Sequence, residues 1–148
     1  MTVGVIVKKP IPEDILKESV VAHVAAAYFS VGKQLERKTR CSATRGFILH
    51  TLRGGAALNQ NQIATLLGFD RTVVHRAIKS LTAEGLVSEK KAKSGRAILV
   101  QLTARGHRYR ERLIQARRTA DEKLRLALSP RDRAILLRLL KLISELKF

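Results

Sequence analysis

This chain of 148 residues contains one cysteine, one methionine, three prolines and no tryptophan. The single Cys41 excludes an intrachain disulfide, and it leaves any cysteine-based zinc site short of ligands. His23, His50, His75 and His107 are scattered, with no HExxH or other metal spacing. No Walker loop, GxSxG or GxGxxG is present. These absences point to a protein that is not an enzyme and needs no metal or cofactor. Aromatic residues make up only 4 % of the chain, and most sit at apparent core positions. An RNA binder would show exposed aromatics for base stacking. No apolar run reaches the length of a membrane span. "VGVIV" near the start is too short for a signal-peptide core, so a cytoplasmic protein with no membrane partner is expected.

Acidic residues are also scarce. Twelve Asp and Glu stand against 29 Lys and Arg, a formal charge of +17. The excess runs through the whole chain and is largest from Thr103 to Leu128, with 8 basic and 3 acidic residues. Such a balance costs self-repulsion and favours a polyanionic partner, with nucleic acid the leading candidate. The hydrophobic fraction of 45 % is ordinary for a globular protein, and the length suits one domain with its own core.

Periodicity then lays out the elements. A first long helix follows Pro12 and runs to about Lys38. Leu16, Val20, Val24, Ala27, Val31 and Leu35 make one apolar stripe, and Val21, Ala25, Tyr28 and Gly32 a second. A helix apolar on two sides belongs inside an assembly. A second helix spans Ser42 to Leu52, and "RGG" stops it. In "LNQNQIATLLGFD", Asn59 and Gln62 have capping-box spacing, Ile63, Leu66 and Leu67 are expected to face inward, and Gly68 ends the helix. Phe69 can plug the core at the turn. Asp70 then caps "RTVVHRAIKSLTAEGLV", whose Val74, Ala77, Ile78 and Leu81 form an apolar stripe. Gly85 ends it, with Leu81 and Leu86 placed for the hydrophobic contact of a Schellman cap.

Two helices joined by a tight glycine turn form a helix-turn-helix pattern. "LVSEKK" and "RAILVQLT" follow as two strands, with Ile98, Val100 and Leu102 alternating. The polar "AKSG" between them makes a hairpin with a charged tip. Thr103 caps a long helix from Ala104 to Ala127, on which Tyr109, Leu113, Ala116, Ala120 and Leu124 share a face. "SPRD" opens the last helix, and "AILLRLLKLISEL" is apolar around most of its circumference. That helix needs a partner, and dimerisation through the terminal helices is the expectation.

The order of these elements resembles the MarR family of winged-helix transcription regulators. The resemblance rests on "LNQNQIATLLGFDRTVVHRAIKSLTAEGLV" and "SGRAILVQLTARG" and covers about Pro12 to Leu146. The family's Asp-x-Arg at the second wing strand is here Ser94, Gly95 and Arg96, so the acid is missing and the arginine stands. The fold this implies is mainly α with a small β-hairpin wing. It is a single domain over residues 1–148. Residues 42–103 form a winged helix-turn-helix, and residues 12–40 and 104–146 a helical dimerisation region.

The implied function is that of a homodimer on double-stranded DNA, a repressor of a palindromic operator released by a small phenolic or anionic effector. Arg71, Thr72, His75, Arg76 and Lys79 form the outer face of the recognition helix, where side chains reach base edges and phosphates. Lys91, Lys93 and Arg96 on the wing suit a narrow minor groove. Arg105, Arg108 and Arg112 extend this phosphate surface or pair with acids of a partner subunit. Tyr28, Arg45 and His50 are the candidate ligand-pocket residues. Cys41, at a helix start beside Arg40 and Arg45, is the candidate redox residue. The alternatives are a sequence-tolerant, nucleoid-type DNA-binding protein and a cysteine-based redox-sensing regulator.

Overall fold

The computed structural model describes residues 19–147. The expectations placed on Pro10, Pro12, Leu16 and the start of the first helix lie outside them. The described chain is mainly helical, with one two-stranded hairpin. It divides into two compact units, cut between Ala43 and Thr44.

In the first unit, helix α1 spans Val20–Thr39. Ser19 caps it, its hydroxyl accepting from the Ala22 N–H at 3.2 Å. Arg40 ends it in the left-handed region, and its N–H donates to Glu36 O at 2.7 Å. None of its residues is buried, although two stripes are apolar, and Val20, Val21, Tyr28 and Val31 stand exposed. Each stripe is long enough to need a cover, and no residue of α1 is buried among the described residues.

Helix α2 (Ala43–Thr51) lies in the second unit from Thr44 onward and is followed by a 3-10 turn over Arg53–Gly55. Gly54 and Gly55 both take positive φ there, which a side chain would disfavour. Helix α3 (Gln60–Leu67) opens with the expected reciprocal box. Gln62 N–H donates to Asn59 Oδ1, and Asn59 N–H donates to Gln62 Oε1, each at 2.9 Å. Its inward face differs from the expectation. Ile63 and Ala64 are buried, whereas Leu66 is 65 % exposed. At about 100° per residue, positions 63, 64 and 67 share a side, and position 66 falls well off it.

Helix α4 (Arg71–Ala83) buries Val74, Ala77, Ile78 and Leu81 as its stripe requires. Each of the three larger side chains contributes roughly 1.5–3 kcal/mol by leaving water. The helix ends in a Schellman arrangement. Leu86 N–H donates to Leu81 O and Gly85 N–H to Thr82 O, both at 2.9 Å. Strands β1 (Val87–Lys91) and β2 (Ile98–Leu102) pair antiparallel, Val87 opposite Leu102 and Lys91 opposite Ile98. Val100 and Leu102 are buried, but Ile98 is half exposed, because the hairpin leaves the core before reaching it. A third short segment was not foreseen: Leu58 bridges Val100, with N–H to O distances of 3.1 and 2.8 Å. One residue of strand has no periodicity to detect.

Helix α5 (Ala104–Ala127) starts where Thr103 accepts from Gly106 N–H at 2.9 Å. The same hydroxyl donates to Gly85 O at 2.7 Å, which ties the start of α5 to the end of α4. Gly106 is buried against this junction, and a Cβ there would collide with the Leu86 carbonyl oxygen. Helix α6 (Pro130–Glu145) carries the expected Ser129 cap, whose oxygen accepts from Asp132 N–H at 3.1 Å. No residue of α6 is buried.

Candidate nucleic-acid interface

The helix-turn-helix places α4 with one side in the core and the other in solvent. Arg71, Thr72, His75, Arg76 and Lys79 are all exposed on that outer side. Asp70 is the only acid near the helix start, and it is committed to capping. Its carboxylate accepts from the Thr72 N–H at 2.7 Å, and this bond holds its pKa below the ordinary value of 3.8. Arg71, Arg76 and Lys79 have no hydrogen-bond or ion-pair partner among the described residues. Three cations on one face with no ion-pair partner among the described residues suit a row of phosphates or guanine edges.

His75 does have partners. Its Nδ1 lies 3.1 Å from Gln60 Oε1, and Gln60 Nε2 donates to Glu89 Oε1 at 3.3 Å. These three side chains line a depression of ≈310 Å³ on the outer face. Sequence reasoning did not single out Gln60, which looked like an ordinary first-turn residue. No short-range signal links it to a strand 29 positions away.

The wing tip is held by Ala92 N–H donating to Ala97 O at 2.8 Å. Gly95, at φ +85°, makes the turn between them. Lys91, Lys93 and Arg96 are exposed at this tip, and Arg96 has no described partner. Glu89, the acid on the first wing strand, accepts from Gln60. On α5, Arg105 and Arg108 are exposed, while Arg112 stacks 5.3 Å from the centre of the Tyr109 ring.

The candidate effector residues fall in both units. Tyr28, on α1, is exposed and meets Phe29 edge-to-face at 5.7 Å. Arg45 and His50 lie on α2 in the second unit. Arg45 donates to Glu84 Oε2 at 2.6 Å, so its charge is balanced at the end of α4, although its Nε is buried without a partner. His50 is partly buried, and its pKa lies below the ordinary 6.5. Burial is the main cause, followed by the positive charges of Arg110, Arg117 and Arg53. Arg53 Nη1 reaches His50 Nε2 at 3.5 Å. Arg110 is paired with Glu111 at 2.9 Å, but its Nε is also buried without a partner. Cys41 is buried, with its thiol 3.5 Å from Ser42 O. Among the described residues, no cluster of His, Cys, Asp or Glu could hold a metal ion. None of the described helices is long and apolar enough to cross a membrane.

Residues 43–97, which contain α2 through the wing tip, match the MarR family model. This segment is similar to MarR-family winged helices. No curated protein sequence matches the chain. Solved MarR-type structures share its fold over most of its length. The transcriptional repressor CouR, bound to a 23-mer DNA duplex, superposes with a TM-score of 0.79 at 22 % identity, covering 91 % of this chain and 99 % of CouR. The PcaV transcriptional regulator from Streptomyces coelicolor, in complex with its natural ligand, has a TM-score of 0.74 at 19 % identity. It covers 91 % of this chain and 97 % of its own. BpsR from Bordetella bronchiseptica, whose DNA binding is regulated by 6-hydroxynicotinic acid, has a TM-score of 0.70 at 20 % identity and covers 86 % of this chain and 100 % of its own. At these identities the likeness establishes the shared MarR-type winged-helix fold.

Proposed function

We propose that this chain is a dimeric, sequence-specific DNA-binding regulator that represses a palindromic operator and lets go on binding a small anionic or phenolic ligand. The observation that carries the DNA-binding part is the unbalanced cationic face of α4, with Arg71, Arg76 and Lys79 exposed and unpartnered beside the basic wing tip. CouR is seen on DNA, which supports this use of the fold. The effector part draws on PcaV and BpsR, each associated with a small molecule. In this chain it draws on Arg53, Arg110 and Arg117, whose positive charges bear on the partly buried imidazole of His50. Arg45 is committed to Glu84. The buried Cys41 gives an oxidant no direct access, so the redox alternative gains no support.

Fluorescence anisotropy with the DNA upstream of the protein's own gene, beside scrambled DNA of equal length and at two salt concentrations, tests this. A preference of about a hundredfold or more marks a specific regulator. Arg76→Ala should then cost more on the preferred duplex than on the scrambled one. Equal affinities, equal losses and a steep salt slope would identify a sequence-tolerant binder and overturn the repressor reading.

A further inference from the structure

We propose that His75 reads the major groove as a hydrogen-bond acceptor, taking the amino group of an adenine or a cytosine at its Nε2, because Gln60 and Glu89 fix its tautomer. This rests on the DNA-binding function proposed above.

The argument begins at Glu89. An ionised carboxylate can only accept hydrogen bonds, so the side of Gln60 that faces it must be the –NH₂ group. That orients the Gln60 amide and leaves its oxygen toward His75. An amide oxygen also can only accept, so the proton of the neutral imidazole must sit on Nδ1. Nε2 then carries a lone pair, and among the described residues nothing bonds to it. The three residues come from β1, α3 and α4, which the fold holds together, and they line an open depression on the exposed side of α4. A nucleic-acid edge arriving there meets a preset acceptor.

The chemistry of the partner follows from complementarity. Phosphate oxygens, guanine N7 and O6, and thymine O4 offer only lone pairs in the major groove, whereas adenine N6 and cytosine N4 offer protons. His75 therefore matches an amino-bearing base and mismatches phosphate, guanine and thymine. Gln60 and Glu89 act as positioning residues behind it. Glu89→Gln would remove the acceptor-only anchor, let the Gln60 amide turn, and release the tautomer.

Two measurements on the full chain test this. Long-range ¹H–¹⁵N correlation at pH 8, with the His75 signals assigned by their loss in His75→Gln, should show Nδ1 protonated and Nε2 bare. In Glu89→Gln the two tautomers should mix. A protonated Nε2 in the wild type overturns the proposal whatever the DNA result. Selection from a pool of randomised 20-bp duplexes should give one position per half-site where adenine or cytosine is favoured about fivefold or more over guanine or thymine, the scale of a single base contact. His75→Ala should lose that preference alone, and Glu89→Gln should weaken it. A guanine or thymine preference at the position lost in His75→Ala, or no position lost, overturns the proposal. If the wild type enriches no sequence at all, specific DNA reading itself fails and takes this inference with it. The tautomer measurement distinguishes that failure from a wrong hydrogen-bond assignment.

Discussion

Helices α4 and α6 both carry apolar residues at helical spacing, and the chain treats them in opposite ways. Helix α4 buries Val74, Ala77, Ile78 and Leu81, and apart from the exposed Val73 the rest of its surface is mainly basic and polar. Helix α6 buries nothing, and Ile135, Leu136, Leu137, Leu139, Leu140 and Leu142 remain 39–63 % exposed. Helix α1 resembles α6 in this respect. An apolar stripe confined to one side can be satisfied by a single core, whereas an apolar circumference needs a second surface. The apolar stripe of α4 is thus covered within one chain, and the opposite side is left for a charged partner. The terminal helices α1 and α6 bury no residue among the described ones, which is the physical support for the proposed dimer.

The largest effect should come from breaking the apolar surface of α6. Leu137→Glu combined with Leu140→Glu should convert two-chain particles to single chains at micromolar concentration, as sedimentation would show. A dimer that survives both changes would place the seam elsewhere. Next comes the junction that makes the winged part self-sufficient. Gly106→Ala should cost about 3 kcal/mol or more in urea unfolding, the upper end of overpacking, because the methyl meets backbone rather than a movable side chain. A cost below about 1 kcal/mol would show that α5 can slide away from Leu86 without penalty. The smallest effect concerns His50. Its pKa is lowered on folding, so the unfolded chain binds its proton more readily. Stability should therefore be fully present above pH 6.5 and decline as the pH falls through and below that value. His50→Gln should flatten that decline, measured by thermal midpoints between pH 8 and pH 5. An unchanged slope would mean that neither burial nor the surrounding arginines lower the pKa of this imidazole.

Much of the winged part was legible because its signals are local. The Asn59–Gln62 box, the Asp70 cap, the Leu81–Leu86 closure around Gly85 and the Thr103 cap each join residues no more than five positions apart. Periodicity likewise identified the buried side of α4. It misplaced Leu66, because three apolar residues on a helix of two turns leave the inward direction under-determined. Ile98 followed the strand alternation, but alternation says nothing about how far the core extends along a hairpin.

The sequence by itself determined where helices start and stop, which side of α4 is apolar, and that the opposite side lacks acids. Those features depend on backbone bonds and spacings within one or two turns. Only the tertiary structure decided the partners of the polar side chains. Arg45 meets Glu84 across 39 positions, Gln60 meets Glu89 across 29, and His75 meets Gln60 across 15. Such pairs carry no periodic trace, because they arise where separate elements pack. For the same reason the neighbour of His75 was invisible in the sequence, and the fold sets its Nδ1 3.1 Å from Gln60 Oε1.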